Sequence, residues 1–405
     1  MPGAKIVGIG AALPGTNIAG RIVTNTMLSD ELRAYRAELV HKGQLQPPDR
    51  WDSLPADERA LHERRWQLLD TSPEWIEEHT GIQERRFADP GIATSDLATC
   101  AAREAMAVAG WMPRDVGFLI IATVLPDHII TPATAPLVQH ALGIPITDNG
   151  GLRDVDGFDV TCACSSFGKA LKVGYAYCAA GLADRGLVIG ADVMTRTVNM
   201  DRNVHPILGD AGGAVAIERV PDDDDAFHGR ASFLGGLDGS LADLIKVPMG
   251  GTREPLCDPA VLEDPFDGRH RMRMEGPSVK KGASRLLLAR DAETTEGWNN
   301  SLLLHGLTHL QCTMGDIDFL AIHQANLRIL EPVVAKLRTD FGFHGIAYNN
   351  IQRYGNTTSA SIPLLLYDAW REGVLRPGMR VLMAVFGGGF AWQTACFRWT
   401  LPNPS

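Results

Sequence analysis

Two cysteines stand one residue apart in Val160-Thr-Cys-Ala-Cys-Ser-Ser-Phe-Gly168, where an apolar run gives way to small residues. Residues 158–161 have the alternation of a strand, and residues 165–178 have the apolar spacing of a buried helix. The chain must therefore turn sharply near Ala163, which places Cys164 at the amino-terminal end of the helix. Unpaired N–H groups there favour an anion, so we expect them to lower the pKa of this thiol by roughly one unit.

Cys162 lies two residues earlier, on the strand, and is interpreted as core packing. The stretch alone leaves open that both thiols are structural. A metal site is not expected, because the sequence has no second cysteine or histidine pair with ligand spacing. The seven cysteines are scattered through the chain and do not resemble a disulfide framework, which favours a reducing, cytoplasmic location.

Outside this stretch, short β-branched runs alternate with longer helical patterns, which predicts α/β layers around a buried, largely parallel sheet. The pattern occurs twice, so we expect one half over residues 1–222, carrying the thiol, and a second half over residues 223–405. In the second half a predicted strand ends at His323 and a helix follows. Since open α/β sheets build sites at the carboxyl ends of strands, we expect His323 to occupy the place that Cys164 has in the first half.

Residues 27–68 have a different texture. The segment MLSDELRAYRAELVHKG places Leu28, Leu32, Tyr35 and Leu39 on one helical face, and ADERALHERRWQ predicts a second, highly charged helix. This helical insertion is either a surface cap or, alternatively, a lid or dimer element over a substrate entrance.

The composition is that of a globular protein, with 405 residues, 45% of them hydrophobic and 21% charged. A net charge of −10 argues against nucleic-acid binding, which needs clustered basic residues. The uncharged segment 381–397 is interrupted by three glycines at 387–389. It therefore predicts two buried strands joined at the glycines, and no membrane association is expected.

Three further motifs carry polar or glycine residues at the ends of predicted elements. They are Ala321-Ile-His-Gln-Ala-Asn-Leu-Arg328, Tyr354-Gly-Asn-Thr-Thr-Ser-Ala360 and Phe386-Gly-Gly-Gly-Phe390. A lone histidine is usually a core or surface residue, and turn chemistry explains an asparagine in a Gly/Thr turn about as well as function does. The glycines of the third motif allow backbone N–H groups to approach a ligand closely.

Together with Thr71-Ser-Pro-Glu-Trp75, Thr80-Gly-Ile82 and Glu84-Arg85, these motifs resemble the thiolase superfamily, and specifically β-ketoacyl-acyl-carrier-protein synthase III. The likeness extends from Lys5 to Trp399 apart from the insertion. It implies an α/β thiolase-like fold of two pseudo-repeated βαβαβαββ halves in a layered α-β-α-β-α architecture. It also implies a homodimer.

The resemblance assigns roles to the motif residues. It makes Cys164 the nucleophile, and it implies that His323 and Asn356 stabilise the enolate formed when a malonyl thioester loses CO₂. Backbone N–H groups of Cys164 and Gly388 would form the oxyanion hole. The implied reaction is a decarboxylative Claisen condensation of the Cys-bound acyl group with a malonyl-type thioester on an acyl carrier protein. No permanently bound cofactor is implied, and coenzyme A or phosphopantetheine thioesters are the implied substrates.

The resemblance also implies contacts with the thioester arm and with the acyl chain. The residues implied to contact the arm are Trp75, Arg202, Asn326, Arg328 and Phe386. Thr131, or Ile130 if the register is shifted by one, lies in the loop over residues 125–132 and would shape the acyl pocket of the partner subunit. Because it replaces a bulky aromatic residue of the family, we expect a roomier or differently shaped pocket.

Two positions depart from the family pattern. His79 and Lys280 remove contacts expected for coenzyme A, so we hypothesise that a carrier-bound acyl donor serves instead. Lys280, Lys281 and Lys336 would then contribute a basic patch for docking an acidic acyl carrier protein, although solvated surface charge is the alternative for these lysines.

The main alternative function is a thiolase-fold acyltransferase of specialised metabolism that moves an acyl group from Cys164 to an oxygen or nitrogen nucleophile, because a cysteine and a histidine suffice for acylation. A degradative thiolase is not favoured. By the resemblance it would carry another cysteine as base beside the glycine turn, whereas here the nearest thiol, Cys396, lies on the following predicted strand.

Overall fold

The computed structural model describes residues 3–404 apart from 199, 221–230, 257–260, 263, 289–301 and 309–311. In this part of the chain the α-helices are α1 (Asn25–His41), α2 (Ala56–Leu68), α3 (Pro73–Thr80), α4 (Thr94–Ala109), α5 (Thr134–Leu142), α6 (Ser166–Ala180), α7 (Gly276–Leu288), α8 (Leu302–Thr308), α9 (Leu327–Phe341), α10 (Ile351–Tyr354) and α11 (Ser361–Arg371). The strands are β1 (Gly3–Ala12), β2 (Gly20–Thr24), β3 (Glu84–Ala88), β4 (Phe118–Ala122), β5 (Thr147–Asp148), β6 (Gly151–Leu152), β7 (Asp156–Val160), β8 (Arg185–Asp192), β9 (Ala211–Val220), β10 (Ser232–Leu237), β11 (Ile245–Lys246), β12 (Arg273–Met274), β13 (Phe319–Ile322), β14 (Ile346–Ala347), β15 (Arg380–Gly387) and β16 (Ala391–Arg398).

The described strands form two larger sheets of the same topology. The first has the order β1-β9-β8-β4-β7 and the second the order β10-β16-β15-β13-β14. In each sheet the first two pairs are antiparallel and the last two are parallel. The predicted α/β fold class is thereby confirmed. The expected boundary between the halves, at 222/223, lies outside the described residues.

Two helices, α6 and α11, fill the space between the sheets. One buried cluster combines Phe167 of α6 and Leu365 of α11 with Phe118 of the first sheet and Phe319 of the second. Helices α4 and α5 cover the outer face of the first sheet, and α7, α8 and α9 cover the outer face of the second. The layers therefore follow the order α-β-α-β-α.

The small residues after Cys164 allow α6 to lie close to both sheets. A Cβ atom at Gly174 would lie 2.8 Å from side-chain atoms of Ile217 and Val188 in the first sheet. A Cβ atom at Gly168 would lie 2.5 Å from Val385 in the second sheet. Because interiors are close-packed, only glycine fits at these two positions.

The topology corrects one expectation about the repeats. Cys164 follows β7, the third strand of the first sheet in chain order, whose counterpart β14 precedes the turn that contains Asn356. His323 follows β13, the second strand, whose counterpart is β4. Asn356, and not His323, therefore occupies the place of the thiol in the second half. The expectation was wrong because the two-residue β14 gives almost no strand signal in the sequence.

Helices α1 and α2 account for the insertion. Leu28, Leu32 and Leu39 of α1 are buried as the helical pattern predicted, whereas α2 has no buried residue. The uncharged segment 381–397 forms most of the antiparallel pair β15–β16, as expected. Across the described ranges, every helix falls short of the length and apolarity needed to cross a membrane.

Candidate active site

The backbone at Ala163 holds Cys164 in a tight turn between β7 and α6. Ala163 has a φ of 48°, in the left-handed region that costs energy for a residue with a side chain. The amides of Ser165 and Ser166 donate back to the carbonyls of Cys162 and Ala163, at 3.1 and 3.0 Å. The sharp turn predicted near Ala163 is therefore confirmed.

The electrostatics of Cys164 differ from the expectation. Burial raises the pKa of the thiol to about 12, and the nearby Asp192 carboxylate acts in the same direction. The backbone N–H of Cys164 itself opposes this shift, but it is outweighed. The predicted lowering of the pKa was wrong because desolvation of this half-buried thiol outweighs the effect of the nearby backbone N–H groups. In addition, α6 begins only at Ser166 with Ser165 as its N-cap, so Cys164 precedes the helix end.

Strand β15 carries the contacts that bring Cys164 and His323 together. A Cβ atom at Gly387 would lie 2.6 Å from the backbone nitrogen of Cys164, so the two backbones are in direct contact. The His323 amide donates to the Ala384 carbonyl at 2.8 Å, and the His323 ring packs edge-on against Phe386, with ring centroids 5.5 Å apart. Phe386 and Gly387 are adjacent, so thiol and imidazole both lie at the carboxyl end of β15.

His323 is held as a neutral imidazole. Burial lowers the pKa of His323 to about 3. Within the described residues its Nδ1 atom is buried and has no hydrogen-bond partner. A buried N–H without an acceptor is disfavoured, so the arrangement favours a bare Nδ1 and a proton on Nε2, where it is a hydrogen-bond donor.

Asn356 is fixed by backbone contacts on both sides. Its amide donates to the Ile207 carbonyl at 2.8 Å, and its carbonyl accepts from the Gly209 amide at 3.1 Å. Its side-chain Oδ1 accepts from the Thr358 amide at 2.9 Å. This bond uses the Oδ1 end of the carboxamide and leaves the Nδ2 end to donate to a ligand.

Asp192 links the Asn356 turn to the thiol, and sequence reasoning missed it. This fully buried carboxylate ends β8 and accepts hydrogen bonds from the Thr358 hydroxyl and the Ser359 amide, and on the other side from Thr123 and the amides of Val124 and Leu125. Its charge also acts on Cys164. The only available signal was a polar residue directly after the apolar run 186–191.

Trp75 and Arg202, two of the residues implied to contact the thioester arm, lie together. The Arg202 guanidinium lies over the Trp75 ring at 4.8 Å, and the His79 imidazole stacks on the same indole at 4.2 Å. Asn326 and Arg328, two more of the residues implied to contact the thioester arm, form hydrogen bonds within the protein. Asn326 caps α9 by accepting from the Arg328 amide, and the Arg328 guanidinium donates to the carbonyls of residues 77 and 78 at the end of α3.

Thr131 and the three lysines lie on the surface. Thr131 is exposed, and the neighbouring Ile129 and Ile130 are 76% and 91% exposed. Lys280 and Lys281 are exposed on α7, whereas Lys336 on α9 forms an ion pair with Asp340. The described residues contain no cluster of three metal-ligating side chains.

An apolar cluster lies beside Asn356, at the carboxyl ends of β4 and β8. Its buried members are Met194, Val198, Val204 and Leu208, and partly buried residues including Met272 and Met274 pack against it. Leu208 also forms a β-bridge with Asn356.

Two family models match the chain, and both describe one enzyme family. Residues 158–233 match 3-oxoacyl-[acyl-carrier-protein] synthase III, and residues 307–399 match the C-terminal part of the same family. The matched ranges include Cys164, His323 and Asn356.

Whole-chain comparisons agree with the family models. The chain is 38% identical to a beta-ketoacyl-[acyl-carrier-protein] synthase III of Symbiobacterium thermophilum, over 82% of this chain and 92% of that protein. It is 37% identical to the synthase III 3 of Streptomyces coelicolor, over 84% and 92%. The crystal structure of the Pseudomonas aeruginosa synthase III superposes with a TM-score of 0.72 at 27% identity, covering 99% of this chain and all of the other. Since the likeness holds along nearly the whole length of the relatives, the chain belongs to the β-ketoacyl-acyl-carrier-protein synthase III family.

Proposed function

We propose that this chain forms a carbon–carbon bond by decarboxylative Claisen condensation between an acyl group on Cys164 and a malonyl-type thioester on an acyl carrier protein. The proposal is supported by contacts that link three groups contributed by the two sheets. Cys164 and His323 both lie at the end of β15, and Asp192 ties the Asn356 turn to the thiol. Relatives that carry the same family name support the choice of reaction.

In the first half-reaction the Cys164 sulfur attacks the acyl thioester. The carbon–sulfur bond to the donor breaks, and the thiol proton leaves with the donor sulfur as a free thiol. Because its pKa is raised, Cys164 begins as a thiol, so its proton departs as the bond forms and not beforehand. The amides of Cys164 and Gly388 are the proposed oxyanion donors, each typically worth about 3–4 kcal/mol of barrier.

In the second half-reaction the malonyl group loses CO₂ and leaves an enolate. The Nε2–H of neutral His323 and the Nδ2–H of Asn356 donate to the enolate oxygen in a site from which water is excluded. The enolate carbon attacks the acyl carbonyl, and the bond to Cys164 breaks. The sulfur then takes a proton from solvent, which restores the Cys164 thiol. This is the one proton that the decarboxylative condensation consumes overall.

Asn356 also favours condensation over the acyltransferase alternative. Simple transfer to an oxygen or nitrogen nucleophile forms no enolate, so the oriented Asn356 carboxamide would have no charge to stabilise. None of the relatives quoted above is named as such a transferase.

The acyl chain is proposed to lie along the cluster of Met194, Val198, Val204 and Leu208. Methionines 272 and 274 at its edge are flexible and adapt to chains of different shape. We also propose a carrier-bound acyl donor. The indole ring of Trp75 supports this hypothesis, because His79 and Arg202 already pack on the surface that coenzyme A would contact. Lys280 and Lys281 are the exposed members of the proposed docking patch, whereas Lys336 already has an acidic partner.

A homodimer is proposed from the edge of the first sheet. Strand β7 pairs only with β4 among the described strands, so one of its edges is unpaired. Beside it, the loop over residues 125–132 exposes Ile129 and Ile130. Unpaired edges and exposed apolar side chains are features that partner subunits cover. A cytoplasmic location is proposed from the cysteines, since the six in the described residues are all free.

The test combines intact-mass analysis of the acylated protein with measurement of CO₂ release. The wild type should gain one acyl group from an acyl thioester and then release CO₂ from malonyl carrier protein. Cys164→Ala should gain no acyl group, and Cys162→Ala should be acylated normally. Acylation without CO₂ release would favour the acyltransferase alternative, and an adduct that disappears only in Cys162→Ala would refute the choice of nucleophile.

A further inference from the structure

The inserted helices pack against a segment that also lines the proposed acyl pocket. Leu32, Leu39 and Leu45 form a buried cluster with Leu69, and partly buried Trp66, Met200 and Phe266 pack against them. Met200 belongs to the segment 200–208, which also supplies Val204 and Leu208 to the proposed acyl pocket. The insertion therefore packs against the proposed substrate-binding region and is not a separate surface element.

An ion pair joins α1 to the segment that follows α2. Arg36 of α1 donates to the Asp70 carboxylate at 2.6 Å, and its guanidinium lies 4.5 Å from the centre of the Trp66 ring. The Arg36 side chain is only 17% exposed. A mostly buried, stacked arginine is held in one geometry much more firmly than a solvated one.

The same residues hold Arg202. The Arg202 amide donates to the Leu68 carbonyl at 2.8 Å, and its guanidinium donates to the Asp70 backbone carbonyl at 3.3 Å. The guanidinium then lies over Trp75. Leu28 of α1 and Ile76 of α3 belong to one buried cluster, and Trp75 packs against this cluster. The insertion thus touches both members of the Trp75–Arg202 pair.

We propose that Arg36 is a positioning residue for thioester binding, acting through Asp70 to hold Arg202 over Trp75. This inference rests on the proposed function, because it assumes that the Trp75–Arg202 pair contacts the thioester arm. Loss of the Arg36–Asp70 pair frees the end of α2 and the turn after it, which anchor Arg202, so the arm binds less tightly. The chemistry at Cys164 is not altered, since neither Arg36 nor Asp70 touches the thiol, His323 or Asn356 in the described contacts.

The test is the rate of Cys164 acylation measured against acyl-thioester concentration in Arg36→Met, which keeps an apolar stem against Trp66. We expect the half-saturating concentration to rise about 5- to 10-fold, with the limiting rate within about 2-fold of the wild type. Arg36→Lys, which restores a charge opposite Asp70, should recover part of the loss. The matched control is Arg33→Met on the same helix, which breaks only an exposed pair with Asp30 and should have no effect.

Alkylation of Cys164 by iodoacetamide separates positioning from damage to the fold. It should proceed at the wild-type rate in Arg36→Met. An unchanged half-saturating concentration would overturn the inference, as would a loss of acylation that is matched by equal loss of alkylation. A wild-type chain that is alkylated but accepts no acyl thioester would instead refute the proposed function, and the inference with it.

Discussion

The contact between Gly387 and the Cys164 backbone makes Gly387→Ala the most discriminating change in the structure. The new Cβ would lie 2.6 Å from the Cys164 nitrogen and 3.1 Å from the Cβ atoms of Ala163 and Cys164. Ordinary contact begins at 3.4 Å, so the two backbones must separate by about 0.8 Å, the difference between these distances. Ala163 is already strained at a φ of 48°, so the turn has little freedom to adapt.

Two effects of Gly387→Ala follow. Overpacking of this kind typically lowers the free energy of unfolding by about 1–3 kcal/mol. A displacement near 1 Å at reacting groups costs about 100-fold in rate, or about 2.7 kcal/mol at 1.36 kcal/mol per factor of ten. We therefore expect acylation of Cys164 to fall by about 100-fold even at temperatures where the variant is fully folded.

The assay is intact-mass acylation together with thermal unfolding, and Gly91→Ala is the control. An added Cβ at Gly91 meets no atom within 4 Å, so neither stability nor acylation should change. Wild-type acylation in a folded Gly387→Ala protein would refute the packing of β15 against the thiol turn, and with it the argument that Cys164 and His323 share one site.

Two further predictions concern proton equilibria. Because burial raises the pKa of Cys164 to about 12, the logarithm of its alkylation rate by iodoacetamide should rise with pH without a plateau between about pH 6 and 9; a plateau near neutral pH would show that the helix end or His323 stabilises a thiolate. Burial lowers the pKa of His205 to about 4, from the ordinary histidine value of about 6.5. As pH falls from about 6.5 to 4, His205 is protonated in the unfolded chain but stays neutral in the folded chain. The free energy of unfolding should therefore drop by about 1.4 kcal/mol per pH unit in that window. Above about pH 6.5 the contribution of His205 to stability is fully present. His205→Gln should remove this contribution in denaturant titrations while the exposed His140→Gln leaves it unchanged; an equal slope in both variants would contradict the assignment.

Local sequence pattern was sufficient for the elements that carry the reactive groups. The alternation before Cys162 and the small residues after Cys164 predicted a strand, a sharp turn and a buried helix, and all three are present as β7, the turn at Ala163 and α6. The glycines at 387–389 likewise predicted the β15–β16 pair. Such features depend on neighbouring residues, so the sequence contains the information directly.

The tertiary structure alone decided how these elements meet and what charge they carry. The equivalence of Cys164 with Asn356 depends on strand order, and the two-residue β14 that establishes it has no periodicity to detect. The role of Asp192 depends on donors from segments more than 60 residues away in either direction. The raised pKa of Cys164 reverses the expectation from the helix end, because desolvation is a property of everything packed around the sulfur. Burial is a sum over distant parts of the chain, and no local stretch of residues determines it.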